Sequence, residues 1–232
     1  MSKPNRVCWR AVLGGLALAG GAPVMAGHVA LPGVDGARVP VESYAEQRFR
    51  DVVKQQYDFS CGSAALATLL SYHYGLATTE QAVFQAMYEA GDPARIRREG
   101  FSLLDMKRYL QARGLNADGF RISLERLGQV GVPALALVNL QGYQHFVVVK
   151  GVRAEEVLVG DPSLGLRSMS REAFEAAWNG IFFVVRDRLE LARASFNRPG
   201  DWRLRARAPL GSAFQGPGLA SFTLSLPRRG DF

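Results

Sequence analysis

A thiol and an imidazole are the side chains of this 232-residue chain best suited to covalent chemistry. It has two cysteines, Cys8 and Cys61, and three histidines, His28, His73 and His145. A thiolate can attack a carbonyl carbon while an imidazole takes and returns the proton. That chemistry needs four parts: a thiolate, a base that later acts as acid, a group that orients the base, and donors for the developing oxyanion. Which residues can supply them depends on the elements that carry them.

The first 26 residues are set apart by their layout. Lys3, Arg6 and Arg10 precede an apolar run from 11 to 22, Pro23 breaks it, and Val24-Met25-Ala26 offers a small-residue cleavage site before Gly27. This is the pattern of a secretory signal peptide, so export and removal of residues 1–26 are expected. An uncleaved anchor is the alternative, but the run is short for a bilayer span, and no later segment is long and apolar enough. Removal lowers the formal charge from +7 to +4 and leaves Cys61 as the one cysteine. A lone thiol in an oxidising compartment forms no internal disulfide, and is a core residue, an intermolecular bridge or a nucleophile. A mildly basic surface without a clustered, aromatic-interleaved patch does not point to nucleic acid.

Local patterns supply the elements. Ala64, Ala65, Leu66, Leu69 and Leu70 recur at helical spacing and Gly75 can close the helix, which puts Cys61 in its first turn. A helix is expected over 79–90, with Thr78 and Gln81 at capping-box spacing, then a charged loop over 94–100. Ser102 and Asp105 open a helix to about Arg113, and a short helix follows near 124–129. From Pro133 the character changes. Strands are expected over 133–140, 145–151, 156–160 and 181–186, with a turn at Gln141-Gly142-Tyr143 and a helix over 170–178. Helices first and sheet second indicate an α+β domain over 48–188, its helices packed on an antiparallel sheet. Residues 27–47 are expected as an extended lead-in, and the Arg-, Pro- and Gly-containing tail, 189–232, shows no clear element.

Position then sorts the candidates. Partial positive charge and free N–H groups at a helix start favour a thiolate at Cys61, and Gly62 would leave room for a substrate backbone. His28 lies in the lead-in. His73 ends the Cys61 helix about three turns away, where it would cap carbonyls. His145, at a sheet end beside a turn, remains as the base. Asp161 ends the strand expected to pair with that of His145 and could orient the imidazole, although Asp-Pro is also a common turn opener. Gln55, six residues before Cys61, could donate to an oxyanion with the Cys61 N–H, and Gln56 is its rival. The histidines lack metal-ligand spacing, and neither a metal nor another cofactor is expected.

The order Gln, Cys, His, Asp fits papain-like peptidases. Residues 55–65, QQYDFSCGSAA, resemble the nucleophile motif of the bacteriocin-processing, double-glycine leader peptidase family. His145-Phe146-Val147-Val148-Val149 is similar to its histidine motif, Gly160-Asp161-Pro162-Ser163 to its aspartate motif, and Ser102-Leu103-Leu104-Asp105 to its middle helix. The resemblance covers about 48–188. It implies a papain-like fold and cleavage after a Gly-Gly pair, with Cys61 as nucleophile, His145 as base and acid, Asp161 as orienter and Gln55 as oxyanion donor. Ser60 stands where many relatives have aspartate. The free-standing periplasmic members encoded with functional-amyloid secretion systems are the nearest likeness. They imply a periplasmic enzyme acting on amyloid subunits or their secretion machinery. Two other functions use the same residues: a silent module that binds Gly-rich segments, and transglutaminase-like acyl transfer.

Overall fold

The computed structural model describes residues 27–30, 38–41 and 43–204. The chain divides into two units between Glu42 and Ser43. In the first, β1 (Gly27–Ala30) and β2 (Arg38–Val41) pair antiparallel, with Gly27 opposite Val41. The signal-peptide reading of 1–26 lies outside the described residues.

The second unit begins with helices. α1 (Tyr44–Arg48) opens on a reciprocal capping box between Ser43 and Glu46. α2 (Cys61–His73), α3 (Glu80–Ala90), α4 (Pro93–Glu99) and α5 (Leu103–Gln111) follow. Then come β3 (Ala117–Phe120), α6 (Leu124–Val130), β4 (Ala134–Leu140), β5 (Tyr143–Val152), β6 (Glu156–Asp161) and β7 (Gly165–Ser170). α7 (Arg171–Ala177), β8 (Trp178–Val185), α8 (Leu189–Ser195) and α9 (Pro199–Leu204) complete it. The six strands β3 to β8 form one antiparallel sheet in the order β3-β8-β4-β5-β6-β7. This is the expected α+β arrangement.

α2 is apolar on all sides because it is the central helix. Leu66, Leu69 and Leu70 are buried with the small residues Ala64, Ala65 and Ala67, and a helix hydrophobic all round belongs inside. Each leucine side chain contributes roughly 1.5–3 kcal/mol by leaving water. Gly62 has a different reason from the one expected. A Cβ there would stand 2.7 Å from Met106 Cε and 3.2 Å from Phe101 Cβ. Its missing side chain lets α2 approach α5 and the segment before it, instead of leaving room for substrate.

β4 and β5 form the hairpin that carries the site histidine. The two loop residues, Gln141 and Gly142, have φ of 55° and 92°, and Leu140 pairs with Tyr143. Positive φ at both positions is what a tight turn matching the strand twist requires. Buried residues of both parities along β5 show that the sheet is covered on both faces there.

Several elements differ from the expectation. Residues 94–100 are not a loop: α4 starts on Asp92, whose carboxylate accepts from the N–H groups of Ala94 and Arg95, with Pro93 in the first turn. Asp before Pro is a helix start as well as a turn signal. The cap of α3 is Thr79, which accepts from Ala82 N–H, not Thr78. The 4-residue β3 and the 6-residue β7 lie at the two sheet edges, where few apolar positions are needed, so their pattern is weak.

Part of the tail belongs to the domain. Ala192 and Trp202 are buried, and Trp202 packs with Val52, Leu158 and Leu166. The β5–β6 register slips between Val149 and Gly151, and Asn197 braces the slip. Its N–H donates to Lys150 O, its Oδ1 accepts from Val152 N–H, and its Nδ2 donates to Val152 O. Lys150 is fully buried, and its Nζ reaches Asp51 O at 3.1 Å and Asp201 at 3.4 Å. Among the described residues no helix is long and apolar enough to cross a membrane.

Candidate active site

Cys61 is the first residue of α2, and Ser60, at the cap position, makes no side-chain cap. The Ser60 hydroxyl instead accepts from Tyr57 N–H at 3.1 Å and donates to Glu80 Oε1 at 2.5 Å. The N–H groups of the first turn are thus not taken up by the usual capping side chain, and they add to the positive end of the helix beside the thiol. Cys61 is only 7% exposed, yet it lines a cleft of about 830 Å³ with Phe101, Leu103, Leu137, Tyr143 and Phe146. Three arginines of α4, Arg95, Arg97 and Arg98, stand on the rim of this cleft.

His145 lies on β5 near the hairpin turn, and Asp161 ends β6. His145 Nε2 and Asp161 Oδ1 are 2.8 Å apart, and both side chains are almost wholly buried. The other ring nitrogen, Nδ1, is buried and has no regular hydrogen bond among the described residues. Burial disfavours the charged imidazole. The bond to Asp161, the adjacent Cys61 thiol and the charges of both prevail, and raise its pKa to about 9. With Nε2 taken by Asp161, Nδ1 is the nitrogen left for the thiol.

Asp161 is both turn opener and imidazole partner. Oδ1 also accepts from the N–H groups of Ser163 and Leu164, and Oδ2 accepts from Arg167 Nε at 3.0 Å. Burial would raise its pKa, but the His145 bond and charge, the Ser163 N–H and Arg167 together hold it below the ordinary value. The carboxylate is thereby kept ionised in a dry place.

Gln55 sits in the segment before α2 and is tied to the Asp161 turn. Its N–H donates to Pro162 O at 3.0 Å, and its Oε1 accepts from Ser163 Oγ at 2.9 Å. Nε2 donates one hydrogen to Tyr57 O at 3.0 Å, and its second N–H lies toward the Tyr143 hydroxyl at the border of the cleft. Gln56 is exposed, and its N–H donates to Glu80 Oε1.

The fold therefore brings Cys61, His145 and Asp161 into one cluster with Gln55 on its border, and leaves His73 elsewhere. His73 does not cap carbonyls: its Nδ1 lies 2.7 Å from Ser195 Oγ, whose hydroxyl donates to Ala192 O. Nδ1 is thus the protonated nitrogen. Burial, then the charges of Lys150 and Arg198, depress the His73 pKa well below its ordinary value, so the ring is a neutral tie to α8.

Three residues that sequence reasoning did not single out hold this cluster or the segment beside it. The Tyr143 ring lies tilted against that of His145 with centroids 5.8 Å apart, and its hydroxyl donates to Asp58 O, closing the Gln55–Cys61 segment against β5. Glu80 holds both ends of the Gln56–Ser60 turn, and Arg167 holds Asp161. Tyr143, next to His145 after a turn, had a local signal. Glu80 had none.

Comparison with known proteins gives the family. Residues 50–190 match the Peptidase C39 family. The chain is 47% identical to a "Probable functional amyloid protease FapD" of Pseudomonas aeruginosa, over 68% of this chain and 70% of that protein. It is 44% identical to the protein of the same description in Pseudomonas fluorescens, over 73% of this chain and 76% of the other. The solved peptidase domain of Streptococcus ComA, from a bi-functional ABC transporter of a quorum-sensing pathway, has the same fold. Its TM-score is 0.50 at 21% identity, over 58% of this chain and 96% of that one. With a family match across most of its sheet and helices and relatives this similar, the chain belongs to the Peptidase C39 family of papain-like cysteine peptidases.

Proposed function

We propose that this protein is an exported cysteine peptidase that cuts a secreted peptide or protein after a Gly-Gly pair, with Cys61 as its nucleophile. The observation that carries this reading is a buried His145–Asp161 pair at 2.8 Å, in which the imidazole's pKa is raised by Asp161 and by the neighbouring Cys61. A cysteine at a helix start that has passed its proton to a neighbouring imidazole is an activated nucleophile, and that proton is the one His145 later delivers.

In this scheme the Cys61 sulfur attacks the scissile carbonyl carbon. The oxyanion is received by the Cys61 N–H and the second N–H of Gln55 Nε2. His145 gives its proton to the leaving amine as the C–N bond breaks, which leaves a thioester. Neutral His145 then takes a proton from water, the hydroxide adds to the thioester, and the proton returns as the thiol leaves. Asp161 keeps the imidazole oriented and stabilises its charge.

The substrate setting rests on the relatives. Two Pseudomonas proteins described as probable functional amyloid proteases are 47% and 44% identical to the chain. Amyloid subunits or their secretion machinery are therefore the proposed partners, and the signal-peptide-like layout of residues 1–26 supports a periplasmic location. The test incubates the protein with a thiol-reactive probe and with these candidate substrates. Stoichiometric labelling is expected for the wild type and not for Cys61→Ala. Cleavage is expected to fall by roughly 10⁴-fold or more in Cys61→Ala and in His145→Ala. Unchanged cleavage in Cys61→Ala would refute the proposal, and cross-linked instead of shortened products would assign acyl transfer.

A further inference from the structure

Beside the segment that joins Gln55 to Cys61 lies a second, smaller pocket of about 310 Å³. Its walls are the aromatic side chains Tyr57, Phe59, Phe84 and Tyr88, with the carboxylates of Glu80 and Glu89. The rings form one connected cluster: Phe59 and Phe84 have centroids 5.8 Å apart, and Phe84 and Tyr88 stack at 5.6 Å. Phe59 also lines the cleft of Cys61, so the two spaces share a wall.

The electrostatics of this pocket oppose those of the rest of the chain. The protein carries 28 basic against 21 acidic residues, and the Cys61 cleft has three arginines on its rim. The smaller pocket has two carboxylates among its lining residues and no lysine or arginine. Glu80 is 4% exposed, and while its Oε1 accepts from Gln56 N–H and Ser60 Oγ, its Oε2 is buried with no hydrogen-bond partner among the described residues. A buried carboxylate oxygen without a donor is costly, and a cation is the partner that would best relieve it. Aromatic faces attract the same kind of group through their quadrupoles. Tyr88 already has a cation near it, since the Arg97 guanidinium lies 5.8 Å from its ring centroid.

We infer that this pocket is a subsite for one lysine or arginine side chain of the polypeptide substrate. The inference rests on the peptidase reading for its location beside the path of the chain being cut. The volume suits a single side chain. An ammonium or guanidinium head would reach the Glu80 carboxylate while its methylene stem lay along Phe59 and Phe84. The pocket would thus select a basic residue at one fixed position of the substrate, in addition to whatever the main cleft selects.

The test is an NMR titration of the Cys61→Ala protein with Nα-acetyl-lysine N-methylamide, against the norleucine analogue, which lacks only the charged end. Saturable shifts are expected at the amides of Gln56, Tyr57, Phe59 and Phe84, with the lysine compound roughly threefold to thirtyfold tighter. The preference is expected to vanish in Glu80→Gln and in Tyr57→Leu; the latter residue is exposed, so its substitution leaves the fold intact. Equal binding of the norleucine compound, or no saturable shift with either, would overturn the inference. Binding is measured without the nucleophile, so failure of the peptidase reading shows separately, as absent labelling and cleavage.

Discussion

At the residue scale, the His145–Asp161 pair controls when the site is charged. With the imidazole pKa raised to about 9, the ring stays protonated through neutral pH and loses its proton near 9. A raised folded-state pKa also stabilises the fold below the ordinary histidine range, and that stabilisation declines as pH rises from about 6.5 through about 9. Peptidase activity is therefore expected to fall on an alkaline limb near pH 9, seen in a kcat/KM profile. Asp161→Asn removes the largest raising cause, and should move that limb to lower pH and reduce the rate. A limb unmoved by Asp161→Asn would separate His145 from the titration. Tyr143 offers a gentler probe, because Tyr143→Phe keeps the ring against His145 and deletes the hydroxyl's donor to Asp58 O together with its contact to Gln55. One neutral hydrogen bond is worth about 0.5–1.5 kcal/mol. A two- to tenfold loss in kcat/KM with a fall of no more than a few degrees in melting temperature is expected, and an unaltered rate would make the bridge irrelevant to catalysis.

At the element scale, two short features hold the surroundings of the site. α4 has only 7 residues, and its Asp92 cap satisfies two of its first N–H groups. Asp92→Ala should cost about 1 kcal/mol, measured by denaturant unfolding. It should also loosen the arginine rim of the cleft, since Arg95, Arg97 and Arg98 all stand on this helix. The bulge in β5 depends on Asn197, whose backbone and side chain replace the strand partner lost at the register slip. Asn197→Ala keeps the backbone bond but removes three side-chain bonds, two with Val152 and one from Trp202 Nε1, and leaves Val152 N–H without its acceptor. A loss of roughly 2–3 kcal/mol is expected in thermal or chemical unfolding. A variant as stable as the wild type would show that water or a shifted strand takes over the brace.

At the scale of the whole molecule, the peptidase fold does not end where its family match ends. The match stops at residue 190, but the buried ties continue through Asn197, Arg198, Asp201 and Trp202. Arg198 bonds to Asp51 at 2.9 Å, and Trp202 covers Val52, so the end of the domain holds the segment that leads to Gln55. Trp202→Ala should cost about 3–5 kcal/mol, and a chain cut after Glu190 should lose cooperative unfolding in a thermal scan. A truncated chain with the wild-type melting temperature would show that the clasp is dispensable.

The sequence by itself determined the features that depend on a few neighbouring residues. Periodicity and flanking glycine located α2 with Cys61 at its head, Ser102 and Asp105 announced α5, and Gln141-Gly142 announced the hairpin that carries His145. Strands of that hairpin family also brought Asp161 within reach of His145, because sequential antiparallel strands pair. Tertiary structure alone decided the rest. Glu80 meets Ser60 across 20 residues, Tyr143 meets Asp58 across 85, and Arg198 meets Asp51 across 147. No local pattern encodes such pairs, and neither does the need for glycine at 62, which arises only when α2 packs beside Met106 and Phe101. Edge strands were hidden for a related reason: little apolar surface is required of them, so their sequences carry little periodicity. Helix starts and turns are set by hydrogen bonds within one turn of chain, while the environment of a catalytic side chain is set by what the whole core places around it.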